Sequence, residues 1–276
     1  MKWTAGLLAG LTWAAAPSIS QAADIELWRL DCGQIEVRDL SAFSDSFAYA
    51  GQKRTLTNSC YLIRRDGDYM LWDTGFPAAL VGAPADAAAT LAPTLKSDIV
   101  SQLAQLKIQP SAIGRVGISH GHFDHVGQLA SFQSATLLIG EEDLEGFRQA
   151  PLPFGFDPAL VKPWLDGATV EPVVGDKDVF GDGSVVILAT PGHTHGETSL
   201  LVRLKATGPV LLSGDVAHFA DQFANDGVPP FNVDRAQSLA SMDRLEKIAK
   251  QLGAKLIVQH DETQIGLLPA FPESAK

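Results

Sequence analysis

Four side chains that can bind a metal ion lie within six positions of one short segment: His120, His122, Asp124 and His125. Three imidazoles this close repel one another when protonated, and the whole group is costly to bury without partners. A divalent cation removes that cost, because neutral imidazole nitrogen and ionised carboxylate oxygen are ligands that it accepts. The segment therefore predicts a metal site.

The chain has seven histidines, and each follows a short apolar run that is typical of a strand. A polar surface loop that happened to be rich in histidine would not confine them in this way. Three further ligand candidates follow such runs: His193, Asp215 and His260. Side chains that leave rigid strand ends can be held in fixed geometry, so we expect the strands to bring these residues to the first segment.

A single tetrahedral ion would leave three of the seven ligand candidates unused. Two ions use all of them: His120, His122 and His193 on the first, Asp124, His125 and His260 on the second, and Asp215 as a bridge. Paired ions lie about 3.5–4 Å apart and hold a water or hydroxide whose pKa falls toward ~7. The set predicts hydrolysis by a metal-bridging hydroxide, with zinc favoured and cobalt, manganese or iron also accepted by these ligands.

The rest of the chain alternates strand-like and helix-like segments. Apolar runs predict strands over residues 25–30, 34–40, 57–64, 68–73, 116–118, 185–190, 210–213 and 256–259. The pair Asp66-Gly67 is a turn signal between two of these strands. Helical spacing predicts helices over residues 95–106 and 236–252, the second ending at Gly253 as a left-handed cap. The alternation favours an α/β protein whose helices cover its sheets.

Two stretches predict loops. Residues 77–93 are rich in alanine and proline and are expected to run over the surface. Residues 150–168 contain four prolines and several aromatic side chains. They are interpreted either as a wall of the substrate pocket or as a packed surface loop.

Charge and length exclude some functions. The chain has 276 residues, with 32 acidic and 21 basic side chains and a formal net charge of −11. An acidic protein repels phosphate backbones, so we expect no nucleic-acid partner. The length suits a single domain over residues 23–276 better than two domains.

Residues 1–22 are typical of an export signal peptide. Lys2 supplies the positive start, residues 5–16 are almost wholly apolar, and Ser20-Gln21-Ala22 fits a small-x-small cleavage site. A membrane anchor is the weaker interpretation, because a span needs ~20 apolar residues. We therefore expect a periplasmic or secreted protein with no membrane attachment after cleavage.

The two cysteines, Cys32 and Cys60, remain after that cleavage. In an oxidising compartment they could form a disulfide, since both lie in strand-like segments. They could equally be two buried thiols that pack as small apolar side chains. Sequence does not supply the Cα separation that decides between the two.

The motifs together resemble those of metallo-β-lactamase-fold hydrolases. The matching segments are His-x-His-x-Asp-His at 120–125, Asp73-Thr74-Gly75, Gly192-His193-Thr194, Ser213-Gly214-Asp215 and the late His260. Within this family, residues 30–33, 59–64, 71–75 and 229–235 are most similar to exported N-acyl homoserine lactonases. The resemblance implies an αβ/βα four-layer sandwich of two packed mixed sheets with outer helices. It also implies a small-molecule lactone substrate and allows a homodimer.

The resemblance also implies residue roles in opening the lactone ring. Asp124 would orient water and relay a proton, and His218 stands where the better-known lactonases have a tyrosine that polarises the substrate. Asp73 would accept a hydrogen bond from a ligand histidine, cap the Thr74-Gly75 turn, or do both. His195 is interpreted as a pocket-rim residue or as a solvated loop histidine.

Other functions of the same fold remain open from sequence. A secreted phosphotriesterase fits the same metal centre, because a hydroxide held by two metals also attacks phosphorus. A β-lactamase is disfavoured because those enzymes use no bridging aspartate at the Asp215 position. A nuclease is disfavoured by the acidic charge, and a glyoxalase-type thioesterase by the lack of a basic glutathione site. A non-catalytic metal-binding protein would need only four closed ligand positions.

Overall fold

The computed structural model describes residues 23–276, in which twelve strands form two sheets. The export signal predicted for residues 1–22 lies outside the described residues. Seven strands make the first sheet: β1 (Ile25–Val37), β2 (Arg54–Arg65), β3 (Asp68–Trp72), β4 (Leu91–Thr94), β5 (Ile113–Gly117), β6 (Thr136–Gly140) and β7 (Val170–Val173). The second sheet contains the other five: β8 (Lys177–Asp178), β9 (Val185–Ala189), β10 (Thr198–Leu204), β11 (Gly208–Leu212) and β12 (Lys255–Ile257).

Both sheets are mixed. The first has the order β4-β1-β2-β3-β5-β6-β7, antiparallel from β4 to β3 and parallel from β3 to β7. The second has the order β12-β11-β10-β9-β8, in which β11 and β12 are parallel and the other pairs are antiparallel. Parallel neighbours align their carboxyl ends at one sheet edge, which is where loops can meet to form a site.

Six α-helices of the described residues complete the architecture: α1 (Ile99–Gln105), α2 (Phe123–Val126), α3 (Glu141–Gly146), α4 (Lys162–Leu165), α5 (Ala220–Asn225) and α6 (Arg235–Leu252). Side chains on alternate positions of a strand face opposite sides of its sheet. Leu62 and Leu71 accordingly pack with Ile99 and Leu103 of α1 in an outer core. In the second sheet, Leu211 packs against α6 in the corresponding core on the other side.

A third apolar core lies between the sheets. Ile63 and Met70 of the first sheet pack there with Ile187, Leu200 and Val202 of the second, all nearly inaccessible to solvent. Burial of so many apolar side chains on both faces of the strands is the main force that holds the layers together. The layers therefore run helix, sheet, sheet, helix, and the predicted four-layer sandwich is confirmed.

Two local predictions are confirmed in detail. Strands β2 and β3 form the predicted hairpin, with Arg65 opposite Asp68 and Asp66 at φ 55° in the turn. Helix α6 ends at Gly253 with φ 61°, as its sequence predicts. Its first turn is capped by Asp234, whose carboxylate accepts a hydrogen bond from the Gln237 N–H.

Other boundaries were predicted wrongly. Residues 25–37 form one strand with a bulge near Gly33, not two strands that end at Leu40. Leu95 precedes α1, which begins only after the cap at Asp98, so the predicted helix was one turn too long. Residues 91–94 form an edge strand that overlaps the end of the stretch 77–93, which was predicted to be a loop. Strands β6, β7, β8 and β10 were not predicted at all.

The structure decides between the two interpretations of the cysteines. Cys32 and Cys60 form a disulfide between β1 and β2, with their Cα atoms 5.7 Å apart. This separation is usual for a disulfide. Among residues 23–276, no helix has both the length and the apolar character needed to cross a membrane.

Candidate metal centre

The predicted ligands leave the carboxyl ends of four strands at one edge of the sandwich. The loop after β5 carries His120 and His122 and runs directly into α2, which holds Asp124 and His125. His193 follows β9, Asp215 follows β11, and His260 follows β12. All seven side chains come together, as the sequence predicts.

Three histidines form a first cluster, which we call the histidine group: His120, His122 and His193. One ligand nitrogen from each lies within 4.8 Å of the others. His122 Nδ1 and His193 Nε2 are only 3.0 Å apart, although they come from different sheets. Asn232 Oδ1 lies 2.9 Å from His193 Nδ1 and so holds this ring with its other nitrogen toward His122.

A second cluster, which we call the mixed group, contains Asp124, His125 and His260. Its ligand atoms also lie within 4.8 Å of one another. Asp124 Oδ2 is 3.6 Å from His125 Nε2 and 3.7 Å from His260 Nε2. The other nitrogen of each ring has an outer partner: Asp73 Oδ2 at 3.1 Å for His125, and the Thr57 carbonyl oxygen at 2.8 Å for His260. These outer contacts fix the ring orientations.

Asp215 lies between the two groups. Its Oδ2 is 3.6 Å from His193 Nε2 in the histidine group and 3.1 Å from His260 Nε2 in the mixed group. Its Oδ1 is 3.5 Å from His125 Nε2. A carboxylate placed in this way can serve both groups at once, and the bridging role expected from the sequence stays a prediction.

Unpartnered buried atoms show that the site fits a cation. Among residues 23–276, three buried ligand atoms have no hydrogen-bond partner: His120 Nε2, His125 Nε2 and Asp215 Oδ1. Buried polar atoms nearly always have a hydrogen-bond partner, so three unpartnered atoms that converge on one point need an explanation. Nitrogen and carboxylate oxygen are the donors that zinc and related divalent ions prefer. These residues therefore suit one or more divalent cations.

The two groups differ in charge. Burial, followed by repulsion from neighbouring imidazoles, lowers the pKa of His120 and His122 well below the usual value, and burial also lowers the pKa of His193. Burial likewise disfavours a proton on His125, but nearby carboxylates outweigh it and raise the pKa to about 10. The pKa of His260 is raised for the same reason. The pKa of Asp215 is held well below its usual range despite burial, because histidines surround it.

Three buried carboxylates lie just behind the ligands. Asp73, predicted from the sequence, accepts hydrogen bonds from the Ser119 N–H at 2.7 Å and the Ser119 hydroxyl at 2.9 Å, besides its contact with His125. Glu197 Oε1 accepts from the Asp215 N–H at 2.9 Å, and its Oε2 lies 3.1 Å from His120 Nδ1 outside good hydrogen-bond geometry. Asp143 contacts both ligand loops. Sequence reasoning missed Glu197 and Asp143, because neither belongs to a motif with metal-ligand spacing.

His218, predicted as a catalytic residue, is buried within the centre. Its Nε2 lies 3.4 Å from Asp215 Oδ2, and its ring stacks on His260 with 5.5 Å between centroids. Burial lowers its pKa well below the usual value, so the ring is neutral. His195, in contrast, is exposed and lies at the rim of a small pocket beside His122 and His193.

The same pocket has an aromatic wall from two loops. Phe154 belongs to the loop 150–168, and its ring centroid lies 5.9 Å from that of His122. The ring centroid of Phe231 lies 6.2 Å from that of Phe154 and 6.0 Å from that of His193. Phe154 is 72% exposed, which is unusual for so large an apolar side chain. Of the two interpretations of this loop, the pocket wall is the one that the structure shows.

Comparison with known proteins agrees with this geometry. Residues 54–260 match the family model described as the metallo-beta-lactamase superfamily. The chain belongs to this superfamily. The predicted family and enzyme class, a metal-dependent hydrolase, are thereby confirmed.

Individual members of the superfamily are also similar to the chain. It is 31% identical over 176 residues to the N-acyl homoserine lactonase AttM of Azorhizobium caulinodans, covering 61% of this chain and 66% of that protein. It is 30% identical over 192 residues to AttM of Rhizobium johnstonii, covering 66% of this chain and 71% of the relative. The chain thus spans about two thirds of the length of these relatives.

A solved structure is similar in fold to most of this chain. It is an N-acyl homoserine lactone hydrolase with the product N-hexanoyl-L-homoserine bound at its catalytic metal center. The TM-score is 0.78 at 25% sequence identity, with 92% of this chain and 100% of that chain covered.

Proposed function

We propose that this protein opens the ring of N-acyl homoserine lactones at a centre of two divalent metal ions, with zinc as the native metal. The observation that carries the proposal is the convergence of unpartnered ligand atoms from His120, His125 and Asp215 between the two groups. The named relatives and the solved lactone hydrolase support the substrate class.

The residues of this chain have separate tasks in such a reaction. The histidine group would hold one ion, the mixed group the other, and Asp215 both. The bound ions would supply Lewis acidity and lower the pKa of water toward neutrality. Hydrolysis breaks the acyl–oxygen bond of the ring, adds OH to the carbonyl carbon and leaves a proton for the released alkoxide.

Asp124 is suited to move that proton. Its carboxylate is the least buried side chain of the mixed group, so it has access both to the centre and to water. It would take the proton from the attacking water and deliver it to the ring oxygen. His218 offers a neutral imidazole whose Nε2 faces the centre, 3.4 Å from Asp215 Oδ2. It is suited to donate a hydrogen bond to the substrate carbonyl.

Phe154 and Phe231 support an acyl-chain substrate. Exposed aromatic surface beside a polar centre favours a ligand with an apolar tail next to a polar head. We expect the acyl chain to lie along these rings while the lactone occupies the centre.

A hydrolysis panel on zinc-loaded protein tests the proposed function. It should contain acyl homoserine lactones with short and long chains, a simple unsubstituted lactone and a phosphotriester. We expect the highest kcat/KM for an acyl homoserine lactone. A higher value for the phosphotriester would contradict the proposal and favour the alternative enzyme class, and no hydrolysis of any lactone would also refute it.

Variants of the aromatic wall test the acyl-chain site. Phe154→Ala should lower kcat/KM for long-chain lactones by about tenfold, roughly the ~1.4 kcal/mol expected for losing part of a buried apolar contact, and leave short chains unchanged. Phe154→Leu should restore most of the loss. The matched control is Leu252→Ala, which removes an exposed side chain at the end of α6. An equal loss for all chain lengths would argue against this acyl-chain site.

We also propose that the protein is exported to an oxidising compartment and that it forms a homodimer. The composition of residues 1–22 and the Cys32–Cys60 disulfide support export, because disulfides persist in oxidising compartments. Cell fractionation with N-terminal sequencing of the mature protein tests export, and recovery of an uncleaved chain in the cytosol would contradict it. Sedimentation of purified protein tests the dimer.

A further inference from the structure

Asp143 is a buried carboxylate outside the predicted ligand set, and the mechanism above does not use it. It lies in the first turn of α3 and is 2% exposed. It accepts three hydrogen bonds: from the Gly121 N–H at 2.8 Å, the Gly196 N–H at 2.7 Å and the Thr194 hydroxyl at 2.8 Å. A buried carboxylate with three donors is well satisfied, so its position is strongly determined.

The three donors belong to two loops that carry the histidine group. Gly121 lies between His120 and His122 in the loop after β5, in the first sheet. Thr194 follows His193 in the loop after β9, in the second sheet. Asp143 Oδ2 accepts from both loops, and Oδ1 accepts a second time from the His193 loop. One carboxylate therefore joins the two sheets directly behind three predicted ligands.

The backbone is shaped to let Asp143 come this close. A Cβ atom on Gly140 would lie 2.1 Å from the Gly196 carbonyl oxygen. A Cβ atom on Gly196 would lie 2.6 Å from the Asp143 backbone nitrogen. Neither position has room for a side chain, because α3 packs directly on the His193 loop. The contact is a close-packed junction rather than a flexible surface interaction.

Asp73 makes a different connection. It contacts His125 Nδ1 directly, so its effect falls first on the mixed group. Within residues 23–276, Asp143 makes no hydrogen bond to a ligand side chain; its donors are two backbone N–H groups and the Thr194 hydroxyl of the histidine loops. Asp73 therefore acts most directly on the mixed group, although it also holds Ser119 next to His120, whereas Asp143 lies behind the histidine group alone.

We infer that Asp143 is a positioning residue that holds the His120–His122 loop against the His193 loop and thereby sets metal affinity at the histidine group alone. The inference rests on the proposed two-ion centre, but it does not depend on which substrate is hydrolysed. It requires that the histidine group lose affinity when the carboxylate is removed, while the mixed group keeps it.

Asp143→Asn tests this role with little change in shape. All three partners are donors, whereas asparagine offers one acceptor oxygen and an NH2 group. At least one backbone N–H is then left without an acceptor. Zinc titration of metal-depleted protein against a chromophoric chelator gives two dissociation constants, and histidine ring NMR signals assign each constant to a group. Backbone amide exchange at Gly121 and Gly196 reports the junction itself.

We expect Asp143→Asn to weaken zinc binding at the histidine group by roughly tenfold or more, the scale known for outer partners of metal ligands. Binding at the mixed group should change less than about twofold, and the Gly121 and Gly196 amides should exchange faster. Asp73→Asn should weaken the mixed group more than the histidine group, because it disturbs His125 directly and His120 only through Ser119. Glu145→Gln, an exposed charge change on the same helix, should change neither constant.

Unchanged affinity at both groups in folded Asp143→Asn would overturn the inference, as would an equal loss at both. Should that variant fail to fold, Thr194→Val removes one donor to Asp143, and it must weaken the histidine group by a few-fold or the inference is wrong. A failure of the proposed function can be distinguished from a failure of this inference. Wild-type protein that binds two zinc ions but opens no lactone refutes the substrate and leaves the role of Asp143 to be decided by the titration.

Discussion

The histidine group and the mixed group lie side by side and share Asp215, yet their electrostatics are opposite. The histidine group contains only imidazoles, whose pKa values are lowered by burial and mutual repulsion. In the mixed group, nearby carboxylates raise the pKa values of both histidines. The histidine group is therefore ready for a cation at neutral pH, whereas His125 in the mixed group must first give up a proton.

The contacts that hold the ligand side chains in place also differ between the two groups. Both imidazoles of the mixed group have a direct outer acceptor, from Asp73 and from the Thr57 backbone. In the histidine group, His193 has Asn232, but the two loops are joined through Asp143 and the backbone. The His120 and His193 rings also have outer partners, in the Ser119 hydroxyl and Asn232, but among the described residues only the histidine group has its two loops docked on one another through a buried carboxylate.

Loss of Asp215 should have the largest effect, because this residue belongs to both halves. Asp215→Ala should lower bound zinc from about two ions per chain to one or fewer and reduce kcat/KM by roughly a thousandfold, about 4 kcal/mol of transition-state stabilisation. Metal analysis and lactone hydrolysis on the same sample measure both. Unchanged activity would refute the shared role.

Single ligand losses should separate the two groups. His193→Ala should weaken only the histidine group and His260→Ala only the mixed group, each by more than the roughly 10- to 100-fold caused by losing an outer partner. Stepwise zinc titration gives the two constants. If either variant weakens the binding of both ions equally, the centre is one coupled site, and the distinction between the two groups is wrong.

The pH dependence of zinc binding should also differ. Nearby carboxylates raise the pKa of His125 to about 10, so His125 is protonated at pH 7 before metal binds, and they raise the pKa of His260 in the same direction. Zinc must displace protons from these rings, and affinity at the mixed group should rise about tenfold per pH unit for each proton released and fall as pH is lowered. Calorimetry in buffers of different ionisation enthalpy counts the protons. Zinc binding to the mixed group of His193→Ala should release the same number of protons as in the wild type, and zinc binding to His260→Ala should release fewer.

The smallest expected effect concerns His218, which stacks on the mixed group and contacts Asp215. His218→Ala should keep both zinc ions and lower kcat by roughly tenfold, about the ~1.4 kcal/mol of one hydrogen bond. The control is His195→Ala, at the exposed rim of the pocket, which should change neither the number of bound zinc ions nor kcat. Loss of an ion in His218→Ala would instead make His218 a metal ligand.

Much of the centre was predictable because its residues are close in sequence or directly follow apolar runs. The ligands at 120–125 and the residues His193, Asp215 and His260 all stand out by type and position. The hairpin at Asp66-Gly67 and the end of α6 at Gly253 depend on local turn chemistry, so they too were predicted correctly.

The errors arose where long-range contacts override local pattern. Residues 31–34 were interpreted as a break between two strands, but pairing with β2 carries β1 through a bulge. The short strand β4 pairs with β1 although its sequence is that of a loop. Glu197 and Asp143 were missed because a single buried acid has no distinctive spacing; its role depends on which donors the fold brings to it.

By itself the sequence determined the main features of this protein: the ligand types, the shared carboxylate, the hydrolase family and the α/β architecture. The ligand types, the shared carboxylate and the α/β architecture follow from side-chain chemistry and from periodic burial, which are local properties of the chain, whereas the hydrolase family follows from the resemblance of the motifs to a known family. The tertiary structure alone decided the pairing of Cys32 with Cys60, the opposite charge preferences of the two ligand groups and the junction at Asp143. Each of these depends on distances between residues far apart in sequence, because hydrogen bonds and ion pairs act over only a few ångströms.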